Sequence, residues 1–189
     1  MKTQNLSYEG LEEFFILLPL LRARLLIKTF SINDNKKESQ IDNLREFEKK
    51  VISNLDESCK MMYLLGEMGA FTEIYEQYVG LYLALGESTK NKPKEHNTYL
   101  RKAELHCRQV IRFYNKHKNR FDRIWEKYVQ GYYCLKRSII SFEMKKFSQS
   151  KFFMEKYDNL QEKSFLVKQR FENEAIIFKQ KLRTMRMDF

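Results

Sequence analysis

Two of the three histidines stand five residues after an arginine: Arg101 precedes His106, and Arg112 precedes His117. Each pair joins an imidazole to a planar guanidinium fork suited to phosphate or carboxylate. Five residues turn a continuous helix by about 500°, which leaves the two side chains roughly 140° apart. Arg112 and His117 are the pair able to converge, because a helix end is expected near His117. The other reactive residues are scattered. Cys59, Cys107 and Cys134 are odd in number and far apart, and each sits in an apolar helical stretch, which reads as reduced core residues. His106 and Cys107 are adjacent rather than at ligand spacing, and the chain has no C-x-x-C, no H-x-x-x-H and no Gly-rich phosphate loop. Acidic pairs such as Glu12-Glu13, Asp56-Glu57 and Glu172…Glu174 fall on faces expected to be solvated. No metal site, no cofactor and no enzymatic reaction follow from these spacings.

The R-x4-H spacing resembles the signature of HEPN-type helical ribonucleases. That resemblance implies an Arg and a His converging on RNA across a dimer, here Arg112 and His117. The polar residue that follows the Arg in that family is replaced by Lys102 and Phe113. A HEPN-like nuclease is therefore the alternative reading rather than the leading one.

The leading reading comes from charge. At 100° per residue, Leu100, Ala103, Cys107, Val110, Ile111 and Tyr114 share one side of a helix expected over Tyr99 to His117. Arg101, Arg108, Arg112 and Lys116 line the side nearly opposite. Lys118, Arg120, Arg123 and Lys127 carry the positive charge across the following turn. Phe113, Tyr114, Phe121, Trp125, Tyr128, Tyr132 and Tyr133 accompany it, a combination that permits phosphate contact together with base stacking. Aromatics at helical spacing are nevertheless core residues more often than stacking platforms, and Phe121, Ile124, Tyr128 and Leu135 read as one buried stripe.

The whole chain shares this asymmetry. Residues 1–97 hold 13 Lys+Arg against 15 Asp+Glu, whereas residues 98–189 hold 22 against 10, so the net charge of +10 belongs to the second half. With 189 residues the chain can bury a core without disulfides or metal. It has 6 Gly and 2 Pro where average usage gives about 13 and 9, which favours long helices joined by few turns. The apolar run Phe14 to Leu21 follows Glu12 and Glu13 and ends at Arg22 and Arg24, unlike an export signal, and is far short of the roughly 20 residues of a membrane span. A soluble, cytoplasmic, single all-α domain over 1–189 is expected.

Six to seven helices in antiparallel hairpins must position the basic face. The first covers Tyr8 to about Phe30, with Leu11, Phe14, Leu18, Leu21 and Leu25 in alternating steps of three and four, and with a kink or break at Pro19. Phe15, Leu17, Leu20 and Leu26 widen its apolar surface, so it is central or covered by a partner. After a loop over 31–38, Ser39 caps a helix carrying Ile41, Leu44, Val51, Leu55, Met62 and Leu65, with a bend near 54–56 and a stop at Gly66 to Gly69. Thr72 caps the next helix, which Gly86 ends. Residues 87–97, with Pro93 and no apolar side chain, read as a long loop, and Thr98 as the cap of the basic helix. A long aromatic helix runs to about Lys145. Ser148 opens the last helical region, which breaks near Asp158 or Ser164 and continues along Phe171, Ala175, Phe178, Leu182, Met185 and Phe189.

Residues 67–73 and 143–149 share the pattern E-M-x-x-F-[S/T]-[E/Q], with an aromatic at a helix corner and a hydroxyl expected to cap the next helix. Two such corners, with Leu65-Gly66, Tyr82 and the W-x-x-Y-V-x-x-Y run from Trp125 to Tyr132, resemble tetratricopeptide-repeat architecture over residues 55–160 at most. The small residue expected where two helices touch would fall on Tyr78. The resemblance implies hairpins of about 34 residues stacked into a solenoid that binds a peptide or protein on its concave face. A closed helical bundle is the other arrangement.

The functional expectation is a non-enzymatic helical interaction module. Its basic half binds an acidic protein or a nucleic acid through Arg101, Arg108, Arg112, Lys116, Arg120 and Arg123, with Trp125 as an anchor. A subunit of a larger assembly or a homo-oligomer, with the first helix and the Phe171 to Phe189 stripe as contacts, is the remaining reading.

Overall fold

The computed structural model describes the backbone of residues 9–33, 41–67, 69–121, 123–161 and 164–184. Among them are seven α-helices and no strand: α1 Glu9–Asn33, α2 Ile41–Leu65, α3 Ala70–Ser88, α4 Pro93–His117, α5 Arg123–Glu143, α6 Phe147–Gln161 and α7 Phe165–Thr184. A 3-10 turn, Lys118–Arg120, separates α4 from α5. No helix among the described residues is long and apolar enough to cross a membrane. The single domain read from the sequence divides into two compact units, Met1–Ala103 and Glu104–Phe189, with the boundary inside α4. That boundary lies six residues from the change in charge. The first unit carries 15 Lys+Arg and 15 Asp+Glu, the second 20 and 10, so all the net charge is on the second unit.

In the first unit α1, α2 and α3 pack on one another. The stripe expected on α2 is the one buried: Leu44, Val51, Leu55 and Met62 face the core, and α2 runs through residues 54–56 as one helix. It stops at Gly66, whose φ of 74° lets the Glu67 amide reach back to the Met62 carbonyl at 3.0 Å. The Ser39 cap, like Leu11, Phe14, Met185 and Phe189 of the expected stripes, lies outside the described side chains.

Helix α1 departs from expectation in two respects. It continues unbroken through Pro19, which is buried. It also turns the other face inward: Ile16, Leu20 and Ala23 are buried, while Leu21 and Leu25 are exposed. Both stripes have helical spacing on a helix that is apolar all round, so periodicity alone could not choose between them.

The punctuation between α3 and α4 is also corrected. Thr72 is a buried residue inside α3, which starts at Ala70 after Gly69. Gly86 is not a stop. It lies within α3, and the space its missing side chain leaves is filled by Leu100 of α4, whose Cδ2 would be 3.4 Å from a Cβ there. The Gly86 carbonyl accepts a 2.7 Å hydrogen bond from Nδ1 of His96, and the Thr89 hydroxyl donates to the Leu85 carbonyl at 2.8 Å to close the helix. The loop is therefore four residues, 89–92, rather than eleven. Pro93 opens α4, where its fixed φ and missing donor cost nothing, and the Thr98 hydroxyl bonds back to the Lys94 carbonyl inside the helix.

In the second unit α5, α6 and α7 pack on one another around Tyr132, Leu135, Ile140, Tyr157, Val167, Phe171 and Phe178. The α5–α6 corner ends like the α2–α3 corner, with the Lys146 amide on the Ser141 carbonyl at 2.8 Å. Its left-handed residue is Lys145, φ 60°, which aligns with Gly69 of the sequence pattern rather than with Gly66. Ser148 is exposed inside α6 and caps nothing, as Thr72 caps nothing. Gly131 on α5 allows a close approach of α7, since a Cβ there would lie 2.7 Å from Cγ1 of Val167.

Candidate anion-binding face

The two-sided pattern of α4 is realised. Leu100, Ala103, Cys107, Val110 and Tyr114 are buried, and Ile111 is half-buried. Arg101, Arg108, Arg112 and Lys116 are exposed. Arg101 stands on the part of α4 belonging to the first unit. The remaining site residues belong to the second unit, where Arg108, Arg112 and Lys116 follow one another at four-residue steps, about 6 Å of rise each. Lys118, Arg120 and Arg123 continue the row through the 3-10 turn into the start of α5, all exposed.

Ion pairing separates these cations into two kinds. Arg108 is held by Glu104 at 2.6 Å, and the same carboxylate pairs with Arg137, a buried arginine of α5 whose guanidinium also lies 5.1 Å from the Phe153 ring centre. Burial acts to raise the Glu104 carboxyl, but the hydrogen bond and charge of Arg137, and then Arg108, outweigh it and hold Glu104 below the ordinary carboxylate range. Arg112, Lys116, Lys118, Arg120 and Arg123 have no ion-pair partner among the described residues. Asp122, the one acid within that stretch, lies outside them. Elsewhere in the unit several cations are neutralised: Lys136 by Glu174 at 2.5 Å, Lys179 by Asp158 at 2.6 Å, Lys181 by Glu143 at 3.8 Å.

The aromatic residues serve mainly as the corner's support. Tyr114, Tyr128 and Tyr132 are buried. Phe121 reaches back toward Tyr114 and Phe113, with ring centres 5.8 Å and 6.4 Å away, and Tyr128 rests on Phe171 at 5.2 Å. Ile124, read from sequence as part of a buried stripe with Phe121, Tyr128 and Leu135, is instead 59% exposed, because α5 buries Val129 and Tyr132 beside Tyr128. Trp125 is half-buried, its ring edge-on to Tyr128 at 5.4 Å.

Arg112 and His117 are both on α4, which extends through His117. The imidazole lies against Phe113 with ring centres 4.5 Å apart, while Arg112 is exposed. α4 ends at His117, as expected, so the two stand five residues apart on continuous helix, about 500° of turn, which leaves them roughly 140° apart.

The thiols are unsuited to nucleophilic work. All three are free, and burial pushes Cys107 up to about 12 and Cys59 and Cys134 up to about 11. Among the described residues no three His, Cys, Asp or Glu side chains are placed to hold a metal ion. What the face can do is contact anions at several points. Sequence reasoning missed Arg137 and Glu104; the available signal was phase, since Arg137 stands three residues after buried Cys134 and four before buried Ser141.

No protein-family model, curated protein or solved structure matches the chain.

Proposed function

We propose that the chain is a non-enzymatic helical interaction module whose second unit binds an acidic macromolecule through Arg112, Lys116, Lys118, Arg120 and Arg123. The observation that carries this reading is the run of five exposed cations in residues 112–123 that have no ion-pair partner among the described residues, in a unit whose other cations are in several cases neutralised. Such a row attracts a polyanion, and its arginines offer bidentate forks to phosphate or carboxylate. Burial of Tyr114, Tyr128 and Tyr132 favours recognition through charge over recognition by stacked bases, leaving Phe113, Phe121 and Trp125 as partly open rings beside the row. Arg108 acts as a support for Glu104 more than as an anion contact.

Fluorescence anisotropy with labelled single-stranded RNA, single-stranded DNA and an acidic peptide, at several salt concentrations, tests the reading and separates the partner classes. Steeply salt-dependent binding to at least one probe, weakened by Arg112→Ala and Arg120→Ala, is expected. Indifference of every probe to salt and to both substitutions would contradict it.

A further inference from the structure

The second unit holds a cavity of about 600 Å³, walled by α6 and α7 and by the C-terminal end of α5. That volume lies within the range of small-molecule sites. Phe142, Phe147, Met154 and Leu182 give the cavity a mainly apolar wall. This surface is preformed: the Phe142 ring is braced by Phe147 and Phe178, with ring centres 5.7 Å and 5.4 Å away, and Met154 is buried. The wall follows α6 from position 147 to position 158, about 16 Å of rise, so the space is elongated. Its charge is unequal, with Lys151, Lys179 and Arg183 set against Glu155 and Asp158. Lys179 is taken by Asp158 at 2.6 Å. Lys151 and Glu155 meet at 3.9 Å with side chains 62% and 63% exposed, a contact of little worth. Arg183, exposed in the last turn of α7, has no ion-pair partner among the described residues.

We propose that this cavity binds a single-chain amphipathic carboxylate of the fatty-acid class. The apolar chain lies along Phe142, Phe147, Met154 and Leu182, and the head meets the Arg183 guanidinium, with Lys151 beside it at the rim. Each part of the ligand follows from the wall. A molecule without an apolar body would leave the two phenylalanines and Leu182 facing water, and so gain nothing from their burial. A cationic head would meet an excess of like charge. A carboxylate takes two parallel hydrogen bonds from an arginine fork, and the excess of one positive charge matches a monoanion. The elongated shape fits a linear chain better than a compact ring system. The cavity shares no residue with the row of cations over 112–123, so this site is separate from the one proposed for an acidic macromolecule.

Isothermal titration calorimetry of the full chain with decanoate, acetate and decyltrimethylammonium tests the proposal. One-site binding of decanoate with a Kd of about 100 µM or tighter is expected, with no measurable binding of acetate and at least about 10-fold weaker binding of the cationic amphiphile. Arg183→Glu is expected to weaken decanoate by about 10-fold. Lys168→Glu makes the same change of charge at an exposed position outside the cavity and is expected to leave decanoate binding unaltered. Circular dichroism checks the fold of both variants. The place of binding is read by nuclear magnetic resonance of isotope-labelled methionine methyls. Decanoate is expected to shift the Met154 signal, which is assigned through the volume-conserving Met154→Leu. An absence of saturable decanoate binding, equal binding of the two long-chain amphiphiles, equal losses in the two charge variants, or an unmoved Met154 signal would each overturn the proposal. So would an acidic amphipathic peptide that shifts Met154 where decanoate does not, which would make the groove a protein-docking site.

Discussion

Buried Arg137 pairs with half-buried Glu104, joining α5 to the second-unit portion of α4. The pair fixes which face of α4 turns outward, because Glu104 also anchors Arg108. Replacing one partner strands a charge out of water. Glu104→Ala is expected to destabilise the second unit by about 3 kcal/mol or more, read by urea unfolding followed through Trp125, the sole tryptophan, which lies in this unit. A loss below about 1 kcal/mol, the worth of a surface pair, would show the pair to be solvated.

The same pair sets an acid limit. The Glu104 carboxyl is lowered in the folded chain from its ordinary 4.5. Its contribution is present above the unfolded value and is lost as pH falls through the folded one. Melting temperature should therefore drop as pH is taken below 4.5, with a shallower drop in Glu104→Gln than in the wild type. Equal slopes would remove Glu104 as the titrating group.

At Gly131 a methyl group has nowhere to go, since a Cβ would meet Val167 at 2.7 Å. Gly131→Ala is expected to cost about 1–3 kcal/mol despite the better helix propensity of alanine. Adding Val167→Ala should recover part of that loss. A stabilised Gly131→Ala would mean that α5 and α7 are less closely packed than described.

Thiol chemistry offers an inexpensive check on burial. With its thiol pushed up to about 12, Cys107 should not react with a disulfide reagent at pH 8 in the native protein, and all three cysteines should react in denaturant. Rapid native labelling of Cys107 would contradict its place in the core.

The degree to which the fold was legible varied with the helix. On α4 the apolar and basic residues are segregated, so spacing alone identified both faces, and Cys107 and Arg112 fell where expected. On α1 apolar residues surround the axis, so the spacing of Leu18, Leu21 and Leu25 did not mark the packed face, which Ile16 and Leu20 form. Gly86 and Pro93 were read as punctuation because both disfavour helix interiors; tertiary contact reversed the first, and a first-turn position accommodated the second. The candidate site was legible as charge but not as pairing. Nothing in the residue types separates buried Arg137 from exposed Arg112, or Arg108, paired with Glu104, from Arg120, which has no ion-pair partner among the described residues; the positions of Glu104 and the neighbouring helices do.

The central claim is that the five cations of residues 112–123 contact a polyanion together. The salt slope of binding to whichever nucleic-acid probe binds best, measured for the wild type and for the combined Arg112→Ala, Lys116→Ala, Arg120→Ala and Arg123→Ala variant, tests it most directly. Each phosphate contact contributes about 0.7–0.9 to the slope of log K against log salt, so the four substitutions should reduce it by about 3. If acidic protein is the partner, the same variant should abolish binding of the acidic peptide while the nucleic-acid probes remain unbound throughout. A slope and an affinity for every probe that are unchanged by the four substitutions would contradict the account.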